Sequence, residues 1–156
     1  MSNARKVALK ALCEVQTNGA YSNITLNKFL NESDLSNSDR SLASALFYGV
    51  LDRMLTLDYV LSKHIKTPIK KVDATALVAM RIALYQIMFM DKIPQSAAVN
   101  ESVKLVKASK VSRLSGFVNG VLRNILRQGI DLPQGNDAKS LSVLYSCPLW
   151  IVQSFI

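Results

Sequence analysis

Asn100, Lys104 and Lys107 recur at i, i+4 and i+7, so on a helix they share one face, and Lys110 and Arg113 follow directly. Asn119, Arg123 and Arg127 stand four apart in a second stretch. Arg5, Lys6 and Lys10 form a smaller cluster near the N-terminus. Rows of ammonium and guanidinium groups neutralise phosphates, and each phosphate contact on single-stranded RNA adds about −0.7 to the salt slope of binding. The competing reading is a solvated helix face, held by pairs such as Glu101 with Lys104 at about 0.2–0.5 kcal/mol each. Asn119 borders an apolar stripe and reads better as a local hydrogen-bond bridge than as an RNA contact.

Charge distribution favours the polyanion reading. The 156 residues carry 19 Lys+Arg against 11 Asp+Glu, a net charge of +8. Residues 1–60 have six basic and six acidic side chains, and residues 128–156 have one and two. Residues 61–127 have twelve basic and three acidic, a local sum of +9 that holds the whole excess. A one-sided excess of this kind marks a surface for RNA or DNA.

Other chemistries find no support. The six glycines never form Gly-x-Gly, the turn a dinucleotide or adenosylmethionine site uses. One histidine, His64, gives neither a Ser-His-Asp arrangement nor a zinc site. Cys13 and Cys147 fit no metal spacing and read as reduced thiols. Cys147 precedes Pro148 without an electropositive neighbour to activate it. Asp52, Asp58 and Asp73 follow no acid–base motif. We therefore assign no catalytic residue, no metal ligand and no cofactor-binding residue, and expect no enzyme activity from this chain alone.

The elements that position the cations are helices; period-two alternation is scarce. Helices are expected over Asn3–Thr17, Ile24–Asn31, a long stretch from Ser38 to Ile65 bent near Asp52–Thr56, Ala74–Met90 capped by Asp73, Ser96–Ala108 capped by Ser96, and Arg113–Arg127. The helix over Ala74–Met90 is apolar nearly all round and belongs at the centre of the domain. It contains Arg81 and Gln86, and its 17 residues fall short of the roughly 20 apolar residues of a membrane span. Arg81 must then be paired or hydrogen-bonded, a structural role. Tyr21, Tyr48, Tyr59 and Tyr85 are read as core, and Gly116 with Gly120 as a site of tight helix packing. Residues 2–12 show no signal-peptide pattern. Residues 129–137, rich in Gly, Pro, Gln, Asn and Asp, read as a linker. Residues 138–156 turn apolar again and stop in mid-pattern at Phe155-Ile156, as a piece of a longer polypeptide would.

Several words together resemble a known family. They are Leu46-Phe47-Tyr48-Gly49-Val50-Leu51, Leu57-Asp58-Tyr59, Arg81-Ile82-Ala83-Leu84-Tyr85-Gln86, Ile93-Pro94, Ala98-Val99-Asn100-Glu101 and Phe117-Val118-Asn119-Gly120-Val121-Leu122-Arg123. This pattern is similar to the NusB-like all-helical domain, over about residues 3–127. Gln86, Leu122-Arg123 and the tail Leu144–Val152 resemble the branch fused to the Sun/RsmB 16S ribosomal RNA cytosine-C5 methyltransferases. Asp52 departs from it, standing where that branch commonly has Arg.

The resemblance implies an all-α fold, a NusB-like helical bundle of about six to seven helices followed by a linker and one or two short helices. It divides the chain into an RNA-binding domain over 1–128, the linker, and the start of a methyltransferase-associated region over 138–156. It implies a cytoplasmic protein whose partners are 16S ribosomal RNA and a C-terminal methyltransferase domain of the same chain, with no membrane. That domain would use S-adenosylmethionine, a cofactor not held by this chain, and a thiolate adding to C6 of cytosine to make C5 nucleophilic. The RNA-binding residues expected are Arg5, Lys6, Lys10, Lys104, Lys107, Lys110, Arg113, Arg123 and Arg127. The alternatives are a freestanding antitermination or ribosome-assembly factor binding RNA and a ribosomal protein, and a helical domain whose basic face only packs on a catalytic neighbour.

Overall fold

A computed structural model describes residues 4–19 and 22–146, the side chain of Ser22 excepted. Tyr21, Cys147 and the expected helix break at Pro148 lie outside the described residues. Among the described residues the fold is all-helical: α1 (Ala4–Asn18), α2 (Ser22–Asn31), α3 (Asn37–Asp52), α4 (Met54–Ser62), α5 (Ala74–Phe89), α6 (Gln95–Lys107), α7 (Ser115–Gln128) and α8 (Ala138–Tyr145). Single 3-10 turns at Ile69–Lys71 and Ser112–Leu114 precede α5 and α7.

The apolar α5 is the axis of the bundle. Every residue from Ala76 to Leu84 is buried, and the helix touches α1, α3, α4, α6 and α7. Its neighbours bring narrower stripes to it: Val7, Ala8, Ala11 and Leu12 from α1, Leu46, Phe47 and Val50 from α3, Val99 and Val106 from α6, and Val118, Leu122 and Ile125 from α7. Each fully buried Val, Leu, Ile or Phe contributes about 1.5–3 kcal/mol against an exposed one. Asp73 caps α5, its carboxylate accepting from the Ala76 N–H at 3.1 Å.

The long stretch breaks at Arg53, which has φ −108° and ψ 15°. The break lets Leu57, Val60 and Leu61 turn toward the core that α3 already faces. At this corner Gly49 is required sterically, because a Cβ there would overlap the Tyr85 ring.

Several local expectations are corrected. Ser36, not Ser38, caps α3, accepting from the Asp39 N–H at 3.2 Å. Pro94, not Ser96, precedes α6; its ring presets the φ of −60° found there, and no side chain caps the helix. Arg113 belongs to the 3-10 turn rather than to α7. Tyr48 is 45% exposed, not core, because its neighbour Phe47 takes the inward position. Among the described residues no other helix packs on Gly116 or Gly120: a Cβ at either would meet none of their atoms within 4 Å beyond its own helix.

Residues 129–136 form no helix. Gly129, with φ +84°, ends α7, its N–H bonded to the Ile125 carbonyl at 2.8 Å. This segment is tied to the bundle: Leu132 packs on the core and Lys63 Nζ donates to the Asp131 carbonyl at 3.4 Å. A hydrogen bond with Tyr59 holds the Lys63 ammonium above its ordinary pKa.

Candidate nucleic-acid interface

Three elements carry the cations. On α1 the inward stripe Val7, Ala8 and Ala11 leaves Lys6 and Lys10 exposed. Arg5 is half-buried, and its Nε donates to Gln86 Oε1 at 2.9 Å. Gln86 is fully buried on α5 and returns its amide to the Ile82 carbonyl at 2.9 Å. Arg5 therefore anchors α1 to the central helix, a tie that separates it from the freely presented Lys6 and Lys10.

On α6 the buried Ala98, Val99, Ser102 and Val106 leave Asn100, Lys104 and Lys107 facing water. Lys104 lies 3.8 Å from Glu101, the pair expected from the spacing. Lys107, Lys110 and Arg113 are exposed and make no ion pair with another described residue. On α7 Arg123 Nη2 donates to Asn100 Oδ1 at 2.8 Å, and its Nε to Asn119 Oδ1 at 3.3 Å. Asn119 thus fills the bridging part its sequence position suggests, and the α6 and α7 rows are joined edge to edge. Arg127 Nη2 donates to Asn124 Oδ1 at 2.7 Å.

The ridge ends in two hollows. One, of about 460 Å³, lies between α1 and the end of α6, with Lys6, Lys10 and Lys110 lining it and Leu9, Phe29 and Leu105 among its apolar walls. The structure thereby brings together the N-terminal cluster and the end of the α6 row, far apart in sequence. Cys13 lines this hollow, and burial raises its thiol pKa from 9.0 to about 11.

The other hollow, also of about 460 Å³, lies between α7 and the segment after α4. Lys66, Arg127, Phe117, His64 and the two open glycines line it. His64 Nδ1 is held 2.8 Å from Asn124 Nδ2. Sequence reasoning missed Lys66, His64 and Phe117. Phe117 is 39% exposed, an aromatic face beside cations. A signal existed: Phe117, Gly120, Asn124 and Arg127 stand at i, i+3, i+7 and i+10, a face of their own distinct from the apolar stripe.

No group of three metal-ligating side chains occurs among the described residues. None of the described helices is long and apolar enough to cross a membrane.

Comparison with known proteins places this arrangement. The chain is 35% identical over 156 residues to a protein of Bacillus subtilis (strain 168) named probable ribosomal RNA small subunit methyltransferase B, covering 99% of this chain and 35% of that protein. The namesake from Synechocystis sp. is 34% identical with the same coverage. The chain thus spans about a third of the length of these two relatives. The transcription antitermination protein NusB of Shewanella baltica is 30% identical over 123 residues, covering 79% of this chain and 92% of that protein. Among solved structures, antitermination factors NusB and NusE in complex with dsRNA share the fold at a TM-score of 0.76 and 21% identity, over 82% of this chain and 96% of that one. Thermotoga maritima NusB is similar at 0.75 and 19%, over 83% and 92%. The sequence matches the NusB family over residues 2–127, and the chain belongs to that family.

Proposed function

We propose that this chain is an RNA-binding module that positions small-subunit ribosomal RNA for a cytosine-C5 methyltransferase continuing on the same polypeptide, in the cytoplasm. The observation that carries the reading is the joined cationic surface, running from Lys6, Lys10 and Lys110 along Lys107 and Lys104 to Arg123, Arg127 and Lys66. Arg113 extends it at the turn before α7, and Arg5 supports it by holding α1 in place. Exposed Phe117, beside cations and open glycines, suits an unstacked base, a contact worth about 1–3 kcal/mol.

The methyl donor expected for such an enzyme is S-adenosylmethionine. The described residues do not fit it, since they offer no strand leading into a glycine-rich turn. On this reading cofactor and catalysis are the task of the methyltransferase part, and this chain supplies affinity and orientation. The identity to NusB over 92% of that protein's length favours a second reading, an antitermination or ribosome-assembly factor that binds RNA beside a ribosomal protein.

Salt-dependent binding of 16S ribosomal RNA fragments tests the proposal. Reversing Lys6, Lys10, Lys107 and Lys110 to Glu should weaken binding and flatten the salt slope by about 0.7 for each phosphate of single-stranded RNA that is no longer neutralised. Phe117→Ala should weaken binding with the slope unchanged. An unaltered affinity and slope in the charge-reversed chain would refute the assignment.

A further inference from the structure

The hollow between α7 and the segment after α4 has two pinned walls. On one side the His64 N–H donates to the Leu61 carbonyl at 2.9 Å and Ile65 is buried in the core, which fixes the turn that carries His64, Lys66 and Thr67. On the other side α7 brings Phe117, Asn124 and Arg127 to the same space. The volume of about 460 Å³ falls within the roughly 300–1,000 Å³ of small-molecule sites.

The hydrogen bonds in these walls fix which groups are left to donate. Arg127 Nη2 donates to Asn124 Oδ1 at 2.7 Å, and Gln128 Nε2 to the same oxygen at 3.2 Å. A guanidinium has no acceptor, so turning the Asn124 amide round would set N–H against N–H. Asn124 Nδ2 therefore faces His64, 2.8 Å from its Nδ1. Nδ1 is then the acceptor, and the ring proton sits on Nε2. That Nε2–H has no partner among the described residues, and the second N–H of the Asn124 amide is likewise left over. Lys66 and Arg127 only donate, and no described Asp or Glu lines the hollow. Apart from the rotatable Thr67 hydroxyl, its polar side chains offer N–H groups alone.

A wall of donors selects a ligand edge made of acceptors. Guanine carries two adjacent acceptors, N7 and O6, on one edge, whereas adenine puts an amine donor beside N7. Cytosine also has two, N3 and O2, but on a smaller ring with less surface to stack. Phe117, 39% exposed, gives a base a face to lie on. The Gly116 and Gly120 edge of α7 lets it approach the helix closely, because no described atom of another element lies within 4 Å of a Cβ placed there. The hollow also continues the cationic ridge: Arg123, tied to Asn100 of α6, and Arg127 stand one turn apart on α7. A strand lying on the ridge thus runs into the hollow.

We infer that this hollow is a guanosine subsite for single-stranded RNA. The base lies on Phe117, its N7 and O6 accept from His64 Nε2–H and the Asn124 amide, and the flanking phosphates meet Lys66 and Arg127. The inference rests on the RNA reading proposed above and narrows it from a charged surface to one with a base preference.

Fluorescence anisotropy with labelled oligouridylates that carry one central replacement tests it on the whole chain. The guanosine strand should bind about fivefold tighter or more than the adenosine, cytidine or 7-deazaguanosine strands, the lower end of what a bidentate pair discriminates. The 7-deaza change removes only N7 and leaves the protein untouched, so its result is independent of how any variant folds. His64→Ala should erase the preference with the far-UV helical signal retained, and Ile24→Ser, on the exposed face of α2, should keep it. Reversing Lys6, Lys10, Lys107 and Lys110 to Glu should weaken all four strands and preserve their ratio. Equal affinity for the four strands, or a preference that survives His64→Ala, overturns the subsite and leaves the RNA reading standing. Displacement of the guanosine strand by an equal concentration of GMP would assign the hollow to a free nucleotide and overturn it too. Failure of every strand and of 16S ribosomal RNA fragments to bind would overturn the RNA reading itself.

Discussion

Asp58→Ala should be among the most damaging single changes in this protein. Arg81 is 3% exposed within the central helix α5. Its Nε and Nη2 donate to the two carboxylate oxygens of Asp58, each at 2.8 Å, and its Nη1 to Gln16 Oε1 at 2.9 Å. Removing one partner of a buried pair strands the other, at a cost of about 3–5 kcal/mol. The Asp58 side chain is 24% exposed, so water can reach the vacated space, and the low end, about 3 kcal/mol, is the figure to expect. For a domain near this size that lowers Tm by roughly 6–12 °C. Arg81→Met removes the stranded charge, and Asp58 can rehydrate, so this change should cost less. The double variant should be about as stable as Arg81→Met alone. Urea unfolding monitored by circular dichroism, treated as a double-mutant cycle, measures the coupling. A loss below about 1 kcal/mol for Asp58→Ala, or additive losses in the double variant, would show that the pair is not what holds Arg81 in the core.

Three more outcomes rest on single residues. Gly49→Ala should destabilise, because the added methyl displaces the Tyr85 ring, at about 1–3 kcal/mol; in a Tyr85→Ala background the same change should become stabilising by up to about 1 kcal/mol, the helix preference of alanine over glycine. Ser102 is fully buried and its hydroxyl has no hydrogen-bond partner among the described residues, so Ser102→Ala should be neutral or raise stability by up to about 1 kcal/mol in thermal unfolding, and a clear loss would contradict the geometry. Asp137 caps α8, and its hydrogen bonds from the Ser140 hydroxyl and N–H hold its pKa below the ordinary carboxylate value. The stabilisation of the α8 start is therefore present above the unfolded-state pKa and is lost as pH falls through the lower folded value. Amide exchange at Ser140 should report that acid-side loss, and Asp137→Asn, which caps without titrating, should abolish the pH dependence.

Helical periodicity made most of the bundle legible from residue order. The all-round apolar α5, the Asp73 cap and the irregular segment after α7 are local properties, carried by hydropathy spacing and by side chains that cap their own helix, while the bend near Asp52–Thr56 was legible from the length of the stretch and from the family resemblance. The charge excess over 61–127 and the NusB-like words around Gly49, Tyr85 and Asn119 are likewise properties of order alone. What depended on the folded chain is whatever joins residues distant along it. Arg5 and Lys6 are neighbours in sequence, yet one is tied to Gln86 and the other lines an open hollow, because α1 rolls one side chain toward α5 and the next toward water. Phe117 and the Gly116–Gly120 edge became candidates for contact only because no described helix covers them. The partner of Arg81 lies 23 residues away and the cap of α4 lies 91 residues away, and no spacing rule within a helix reaches that far. Residue order set which faces are apolar and which are cationic, through short-range periodicity; packing set which of those faces meet, because burial is decided between helices.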